Sequence, residues 1–106
     1  MPANRQLDRM DHVAISVNDI AATVDWYREQ FNCEIVYQDE TWAMVKFENI
    51  TLAFVIPAQH PPHIAFVKED AEKYGELEGH RDGTASVYIK DVADNAVEIM
   101  APHNVY

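Results

Sequence analysis

The sequence predicts an α+β domain built from two similar halves, of which the second is shorter. Three observations support this prediction. Short runs in which apolar and polar residues alternate recur along the 106-residue chain, as is typical of strands with one buried face. One early stretch instead carries apolar residues at helical spacing. The segment "HVAI" in the first half is matched by "HIAF" past the middle, which indicates an internal repeat.

The first half, residues 10–57, is predicted to contain four strands and one helix. Its first strand, Met10–Val17, is followed by a helix over "NDIAATVDWYREQF", which Asn18 or Asp19 would cap. The segments "CEIVYQ", "TWAMVKF" and "ITLAFVI" are then predicted to be antiparallel strands joined by short polar turns. Pro57 ends the last of these strands.

The second half, residues 62–102, repeats this order with less sequence. It is predicted to open with the strand His63–Val67, to pass through at most one short helix in "EDAEKYG", and to close with strands in "TASVYIK" and "NAVEIMA". Bulky residues on one strand face, such as Ile15 and Ile64, are expected to lie beneath helices. The whole chain, residues 1–106, is expected to form one domain.

Composition excludes several classes of function. The formal charge is −10, from 18 acidic against 8 basic residues, which argues against binding to nucleic acid or to an anionic membrane surface. This charge either serves solubility or attracts cations. No apolar run reaches the roughly 18 to 20 residues of a membrane span. Cys33 is the sole cysteine, so no internal disulfide forms, and a reducing cytoplasm is the expected location.

Two histidines and one glutamate occupy related positions in the repeat. His12 and His63 open their strands at the same step, and the overlay of "TLAFVIP" on "AVEIMAP" places Glu98 where the first half has Ala53. Strand alternation puts His12, His63 and Glu98 on the face that carries small neighbours. If the halves pair into one curved sheet, these three side chains enter the same cavity.

This set of side chains is typical of a metal site. Two imidazoles and one carboxylate on one side of a metal leave positions open for water, oxygen or substrate, as in non-haem Fe(II) sites, and the set also suits Mn(II) or Zn(II). Each residue alone has an ordinary structural explanation, because strand histidines are often hydrogen-bonded and strand glutamates are often solvated. The coincidence of all three on one face favours the metal site.

These residues carry a resemblance to a known family. The segments "DHVAISVNDIAATVDWYREQF", "HIAFV" and "SVYIKDVADNAVEIMAP" resemble the vicinal oxygen chelate superfamily of glyoxalases, bleomycin-resistance proteins and extradiol dioxygenases. The resemblance implies two βαβββ units that form a curved mixed sheet, a cup around one metal, with the second unit shortened. It also implies that His12, His63 and Glu98 match three of the four ligand positions of that family and that Ala53 occupies the fourth.

The resemblance bears on the reaction as well. Glyoxalase-type isomerases use four protein ligands, so Ala53 counts against that activity and favours dioxygenases or metal-dependent transferases. The stretch from His80 to Glu98 is similar to the extradiol signature, which implies an acid/base role for His80 and a hydrogen-bond donor role for Tyr88. Val92 and Asp94 depart from that signature, which has proline and glycine there.

The leading hypothesis is a metal-dependent enzyme that binds a small substrate through adjacent oxygens and leans towards dioxygenase chemistry. The implied cofactor is a divalent metal, with Fe(II) favoured and Mn(II), Zn(II) or Ni(II) as alternatives. The second hypothesis is a metal-free module of the bleomycin-resistance type that sequesters a cationic drug, and the third is a metal-binding relic. Because the second unit is short and family members are often dimers, a homodimer is expected.

Overall fold

Eight strands form one mixed sheet in residues 6–106, the part of the chain that the computed structural model describes. Residues 1–5 of the predicted domain lie outside this range. The helical elements are α1 (Ile20–Gln30) and a 3₁₀ turn at Ala71–Tyr74. The strands are β1 (Arg9–Ser16), β2 (Glu34–Gln38), β3 (Trp42–Lys46), β4 (Thr51–Val55), β5 (His63–Val67), β6 (Glu78–Gly79), β7 (Ala85–Lys90) and β8 (Ala96–Met100).

The strand order shows the internal repeat directly. Across the sheet the strands run β2-β3-β4-β1-β5-β8-β7-β6. The first strands of the two halves, β1 and β5, pair antiparallel at the centre. Each of them then pairs in parallel with the last strand of its own half, β1 with β4 and β5 with β8. The predicted α+β fold of two related units, the second shortened, is therefore confirmed.

Helix α1 covers the outer face of the first half. Asp19 caps it by accepting a hydrogen bond from the backbone N–H of Ala22 at 3.0 Å. Ile20 and Val24 project from its inner side and are 3% and 1% exposed. They pack against Phe54 and two residues of β3, which together form the larger core.

No comparable helix covers the second half within residues 6–106. The connection from β5 to β6, residues 68–77, forms only the 3₁₀ turn, whereas α1 lies in the longer connection from β1 to β2, residues 17–33. Ile64 on the outer face of β5 is consequently 41% exposed. The expectation of a covering helix was thus correct for Ile15, which packs beside the α1 core, and wrong for Ile64.

The sheet curls until hairpins near its two edges meet. Arg81, in the turn before β7, forms an ion pair with Asp39 at 2.9 Å and donates to the Thr41 hydroxyl at 2.9 Å. Asp39 also accepts from Tyr37, and such hydrogen bonds outweigh burial and lower the pKa of Asp39 to about 2.

No helix among the described residues has the length and apolarity of a membrane span.

Candidate metal centre

His12, His63 and Glu98 meet on the inner face of the sheet because their strands are neighbours. In the pairing of β1 with β5, His12 lies opposite Ala65, and in the pairing of β5 with β8, Ala65 lies opposite Glu98. His63 lies one pleat further along β5, opposite Ala14. The alanines between the three larger side chains leave them room to converge above the sheet.

Three ligand atoms lie at the corners of a small triangle. The Nε2 atoms of His12 and His63 are 3.0 Å apart, and Glu98 Oε1 lies 3.1 Å from the first and 3.0 Å from the second. All three residues are buried, at 4%, 8% and 3% exposure respectively. These residues form a group able to hold one metal ion.

The other ring nitrogens determine which tautomer each histidine adopts. His63 Nδ1 lies 2.7 Å from the carbonyl oxygen of Pro61, which only accepts, so this nitrogen carries a hydrogen. His12 Nδ1 lies 2.7 Å from Asp11 Oδ2, and the pKa of Asp11 is lowered because hydrogen bonds from His12 and Tyr106 outweigh burial. In each neutral ring the hydrogen is therefore on Nδ1, and Nε2 presents a lone pair.

Such an arrangement requires a positive charge at its centre. Two imidazole lone pairs and one carboxylate oxygen face each other inside the protein, where unpaired acceptors are costly. Burial alone would raise the pKa of Glu98, but hydrogen bonds with His12, His63 and His80 hold it well below its usual range. Burial would lower the pKa of His12, yet contacts with Asp11 and Glu98 raise it to about 9. A proton or a metal ion meets this requirement.

The triangle also has the size that a metal ion demands. Ligand atoms about 2.1 Å from a metal lie about 3.0 Å apart when they subtend right angles and about 3.4 Å apart in a tetrahedron. The observed separations of 3.0 to 3.1 Å match three adjacent ligands at right angles. Two histidines and one carboxylate in this arrangement leave further positions for substrate or oxygen.

Ala53 occupies the remaining corner of the repeat. It lies opposite Ala14 in the pairing of β1 with β4, as Glu98 lies opposite Ala65 in the pairing of β5 with β8. The overlay made from sequence is thus confirmed by register. Ala53 is 1% exposed and lines the cavity, so the first half contributes a methyl group where the second contributes a carboxylate.

A cavity of about 330 Å³ opens above the triangle, within the size range of sites for small molecules. Trp42 and Met44, which share a strand face in the sequence, both line it. His12, His63 and Glu98 form its floor, and its wall includes His60, His80, Tyr88, Met100 and Tyr106.

His80 is linked to Glu98 through Ser86. The Ser86 hydroxyl donates to Glu98 Oε2 at 2.5 Å, and His80 Nε2 lies 2.6 Å from Ser86 Oγ. Because the serine hydrogen is used on the carboxylate, His80 Nε2 is the donor to the serine. The hydrogen bond to Glu98 raises the pKa of His80 more than burial lowers it. This chain satisfies Oε2 and leaves Oε1 for a metal.

Tyr88 stands on β7 directly opposite Glu98. Its ring meets that of His63 edge-on, with centroids 5.2 Å apart. Burial and the nearby Glu98 carboxylate raise the pKa of the Tyr88 phenol, so it keeps its proton and remains a donor.

In the turn after β7, Asp94 adopts φ 68°, a left-handed conformation that suits glycine and that aspartate tolerates. The departure from glycine at this position therefore leaves the hairpin intact.

Sequence reasoning missed Asp11, Ser86, His103 and Tyr106. Strand alternation alone would place Asp11 on the face opposite His12. The pairing of β1 with β5 shifts register between Met10 and His12, and such a bulge re-aims the side chain of its extra residue. Nothing in the sequence marks this bulge. His103 and Tyr106 follow the last strand, where periodicity gives no information.

Comparison with known proteins was made for sequence and for structure. Residues 9–94 match the family model described as the Glyoxalase/Bleomycin resistance protein/Dioxygenase superfamily, and the match ends before Glu98. No curated protein matches the sequence closely enough to count as a relative.

Solved structures share the fold at low sequence identity. A methylmalonyl-CoA epimerase from Streptomyces coelicolor, in complex with 2-nitronate-propionyl-CoA, is 20% identical, with 93% of this chain and 100% of that chain covered and a TM-score of 0.74. A methylmalonyl-CoA epimerase in complex with methylmalonyl-CoA and NH4+ is 20% identical, with 94% and 98% covered and a TM-score of 0.70. A glyoxalase/bleomycin resistance protein/dioxygenase superfamily member from Vibrio splendidus 12B01 is 8% identical, with 91% and 100% covered and a TM-score of 0.61.

Proposed function

The chain belongs to the glyoxalase/bleomycin resistance protein/dioxygenase superfamily, and on that premise we propose that it is a metal-dependent enzyme. His12, His63 and Glu98 would hold one divalent metal, and a small substrate would chelate that metal through two adjacent oxygens. The observation that carries this proposal is the triangle of ligand atoms 3.0 to 3.1 Å apart. Their lone pairs face one another and lack a hydrogen between them when both histidines are neutral.

The residues around the triangle divide the remaining work. A bound divalent metal would supply Lewis-acid chemistry that stabilises an anionic form of the substrate. His80 donates its Nε2 hydrogen to Ser86 and lines the cavity, and it would exchange a proton with a substrate. Tyr88 keeps its phenolic proton and would donate a hydrogen bond to a substrate oxygen. Trp42 and Met44 add apolar surface to the cavity wall and would help to exclude water from a bound substrate.

Within this class we favour oxygen-dependent chemistry with Fe(II). The alanine at position 53 removes one ligand and leaves room beside the other three, which is the feature that suits a site shared by oxygen and substrate. The epimerases of similar fold suggest a redox-neutral proton transfer as the competing reaction. Ala53 disfavours this reaction, because the first half then offers no acid or base at the corner that mirrors Glu98.

Oxygen uptake separates the two reactions. Protein loaded anaerobically with Fe(II) is mixed with a panel of catechols in an oxygen-electrode cell, and product mass is recorded. Dioxygenase activity predicts substrate-dependent oxygen uptake, lost in Glu98→Gln and reduced about 10²- to 10⁴-fold in His80→Gln. Metal-loaded protein that exchanges deuterium into 2-oxo or 2-acyl acids without oxygen uptake would instead indicate proton transfer.

A metal-free binding module predicts a different pattern. Ligand affinity would then be the same before and after chelation with EDTA, and Glu98→Gln would bind as well as the parent. Isothermal titration of the chelated protein with cationic glycopeptide drugs tests this directly. Tight binding that ignores both chelation and Glu98 would replace the enzyme by the module.

We also propose that two copies of the chain associate through the uncovered outer face of the second half. Val13, Ile64, Val97 and Ile89 form one row across four neighbouring strands, since each lies opposite the next in register. All four point away from the metal-side face, and Ile64 is 41% exposed. A row of β-branched residues without a helix above it is the kind of surface that a second sheet covers.

Analytical ultracentrifugation tests the dimer. The parent is expected to sediment as a dimer and Ile64→Lys as a monomer, because a lysine in the centre of the row would be buried without a partner. Lys90→Ala, an exposed change at the edge of the same strand group, serves as the control. A monomeric parent at micromolar concentration would contradict the proposal.

A further inference from the structure

The Asp11 carboxylate collects three hydrogen bonds beside the metal triangle. Its side chain is 8% exposed. Oδ2 accepts from His12 Nδ1 at 2.7 Å and from the Tyr106 hydroxyl at 2.8 Å, while Oδ1 accepts from His103 Nε2 at 2.9 Å. A buried carboxylate with three donors is held in one orientation, and it imposes that orientation on its partners.

Two of these donors come from the segment that follows β8. The backbone N–H of Val105 donates to His103 Nδ1 at 3.1 Å, which leaves the ring hydrogen on Nε2, where it faces Asp11. Tyr106 packs against the buried cluster that includes Ala53 and lines the cavity. The segment therefore folds back over the first half and closes the side of the site that Ala53 leaves open.

The two histidines of the triangle are supported in different ways. His63 Nδ1 donates to the Pro61 carbonyl, a backbone atom two residues away. His12 depends on a side chain, since the bulge at Asp11 brings its carboxylate to the ring. A substitution can therefore remove the support of one histidine and leave that of the other in place.

We propose that Asp11, held by His103 and Tyr106, is a positioning residue of the metal centre. It keeps the ring hydrogen of His12 on Nδ1 and the ring plane fixed, so that Nε2 points at the same spot as His63 Nε2 and Glu98 Oε1. Outer hydrogen-bond partners of this kind raise the basicity of a ligating imidazole and restrict its rotation. This inference rests on the proposed metal function.

Zn(II) affinity, measured by competition with a chromophoric chelator, provides the test. Loss of an outer carboxylate typically weakens metal binding 10- to 100-fold, and we expect a loss of about this size for Asp11→Asn. Tyr106→Phe removes one donor to Asp11 and is expected to weaken Zn(II) binding less than about tenfold. Asp91→Asn is the matched control, because Asp91 accepts hydrogen bonds in an exposed turn and should leave Zn(II) affinity unchanged.

A double-mutant cycle sharpens this test. If Tyr106 acts through Asp11, the pair Asp11→Asn/Tyr106→Phe binds Zn(II) no more weakly than Asp11→Asn alone. Additive losses would show that Tyr106 acts independently of Asp11, as through its hydroxyl 3.4 Å from His12 Nδ1, and would overturn the role assigned to it. The thermal midpoint of each metal-free variant identifies any variant that has lost its fold, and Tyr106→Phe keeps the test open if Asp11→Asn is one of them.

A spectroscopic signature distinguishes positioning from general stabilisation. In the Zn(II)-loaded parent, nitrogen-15 NMR of the histidine rings should show slowly exchanging Nδ1 hydrogens on both His12 and His63. In Asp11→Asn only the His12 signal should be lost or shifted. Unchanged Zn(II) affinity and an unchanged His12 signal in this variant would overturn the inference while leaving the metal function intact. A parent that binds no Zn(II), Fe(II), Mn(II) or Ni(II) would instead overturn the proposed function.

Discussion

The two halves of the chain protect the sheet very differently. In the first half, α1 covers the outer face, and Phe54 beneath it is fully buried. In the second half the equivalent row of apolar residues has only a 3₁₀ turn beside it, and Ile64 is 41% exposed. On the inner face the asymmetry is reversed for the titratable side chains, because the first half contributes His12 and the second contributes His63, Glu98, His80 and Tyr88.

This difference indicates that the two halves of the repeat have different roles. The first half supplies most of the hydrophobic core, and both of the buried clusters draw mainly on its residues. The second half supplies two of three metal-ligand candidates and the hydrogen-bond chain from His80 through Ser86. Substitutions in the two halves should therefore fail in different ways.

The largest expected effect is on stability. Ile20→Ala, beneath α1, should lower the free energy of unfolding by about 2 to 5 kcal/mol, as large-to-small changes in a packed core do. Ile64→Ala, the same change on the uncovered face, should cost less than about 1 kcal/mol at protein concentrations too low for the proposed dimer to form. Urea unfolding at equal dilute concentrations gives both values. Equal losses would remove the contrast between the halves.

The next effect concerns the metal. Glu98→Gln keeps the shape of the side chain but removes the charge and the acceptor that faces both histidines. We expect Zn(II) affinity to fall more than about 100-fold, beyond the range of an outer-shell change. Glu76→Gln, an exposed glutamate of the same half, is the control in the same chelator competition. A similar affinity in parent and Glu98→Gln would remove the glutamate from the ligand set.

Restoring symmetry should have the opposite sign. Ala53→Glu places a carboxylate at the corner that mirrors Glu98. It should tighten metal binding roughly tenfold, because affinity rises with the number of charged ligands, and should block substrate access to the metal. Ala53→Gln adds the same bulk without the charge and should not tighten binding. Metal titration measures the affinity of both variants. If neither differed from the parent, position 53 would not lie beside the metal.

Metal affinity and the stability of the metal-free protein should respond to pH in opposite directions. Because the pKa of His12 is raised to about 9, its ring keeps a second proton at neutral pH, and a metal ion must displace that proton to bind. Apparent affinity should therefore rise about tenfold per pH unit up to about 9. In metal-free protein the raised pKa contributes stability that is complete below the usual value of 6.5 and lost as pH rises towards 9. Chelator competition and urea unfolding at several pH values measure the two dependences. If affinity and stability changed in the same direction with pH, proton and metal would not compete for His12.

The smallest effect is expected at the contact between the two edges. Arg81→Ala breaks the ion pair with Asp39, but the Arg81 side chain is 57% exposed, so the loss should be below about 1 kcal/mol. Lys90→Ala, which removes a more exposed pair with Asp94, is the control for urea unfolding. A loss of several kcal/mol from Arg81→Ala alone would show that the curl of the sheet depends on this contact.

The repeat in the sequence predicted the register of the site. Strand alternation and the overlay of His12 on His63 were enough to place both on one face with Glu98 and to identify Ala53 as the mirror of that glutamate. Three features escaped prediction for physical reasons. The bulge at Asp11 depends on pairing with β5, and the position of Tyr106 depends on its tertiary hydrogen bond to Asp11. The outer face of β5 is uncovered because the segment after it forms no α-helix.

Metal content measures the role of His12, His63 and Glu98 most directly. The protein is purified without an affinity tag, without oxygen and without chelator, beside His63→Ala, and both are analysed by inductively coupled plasma mass spectrometry. Near-stoichiometric metal in the parent and little in the variant is the expected result, and iron in place of zinc or nickel would support oxygen chemistry. A parent that stays empty after incubation with iron, manganese, zinc and nickel would contradict the metal centre and leave the triangle as a proton-sharing structural cluster.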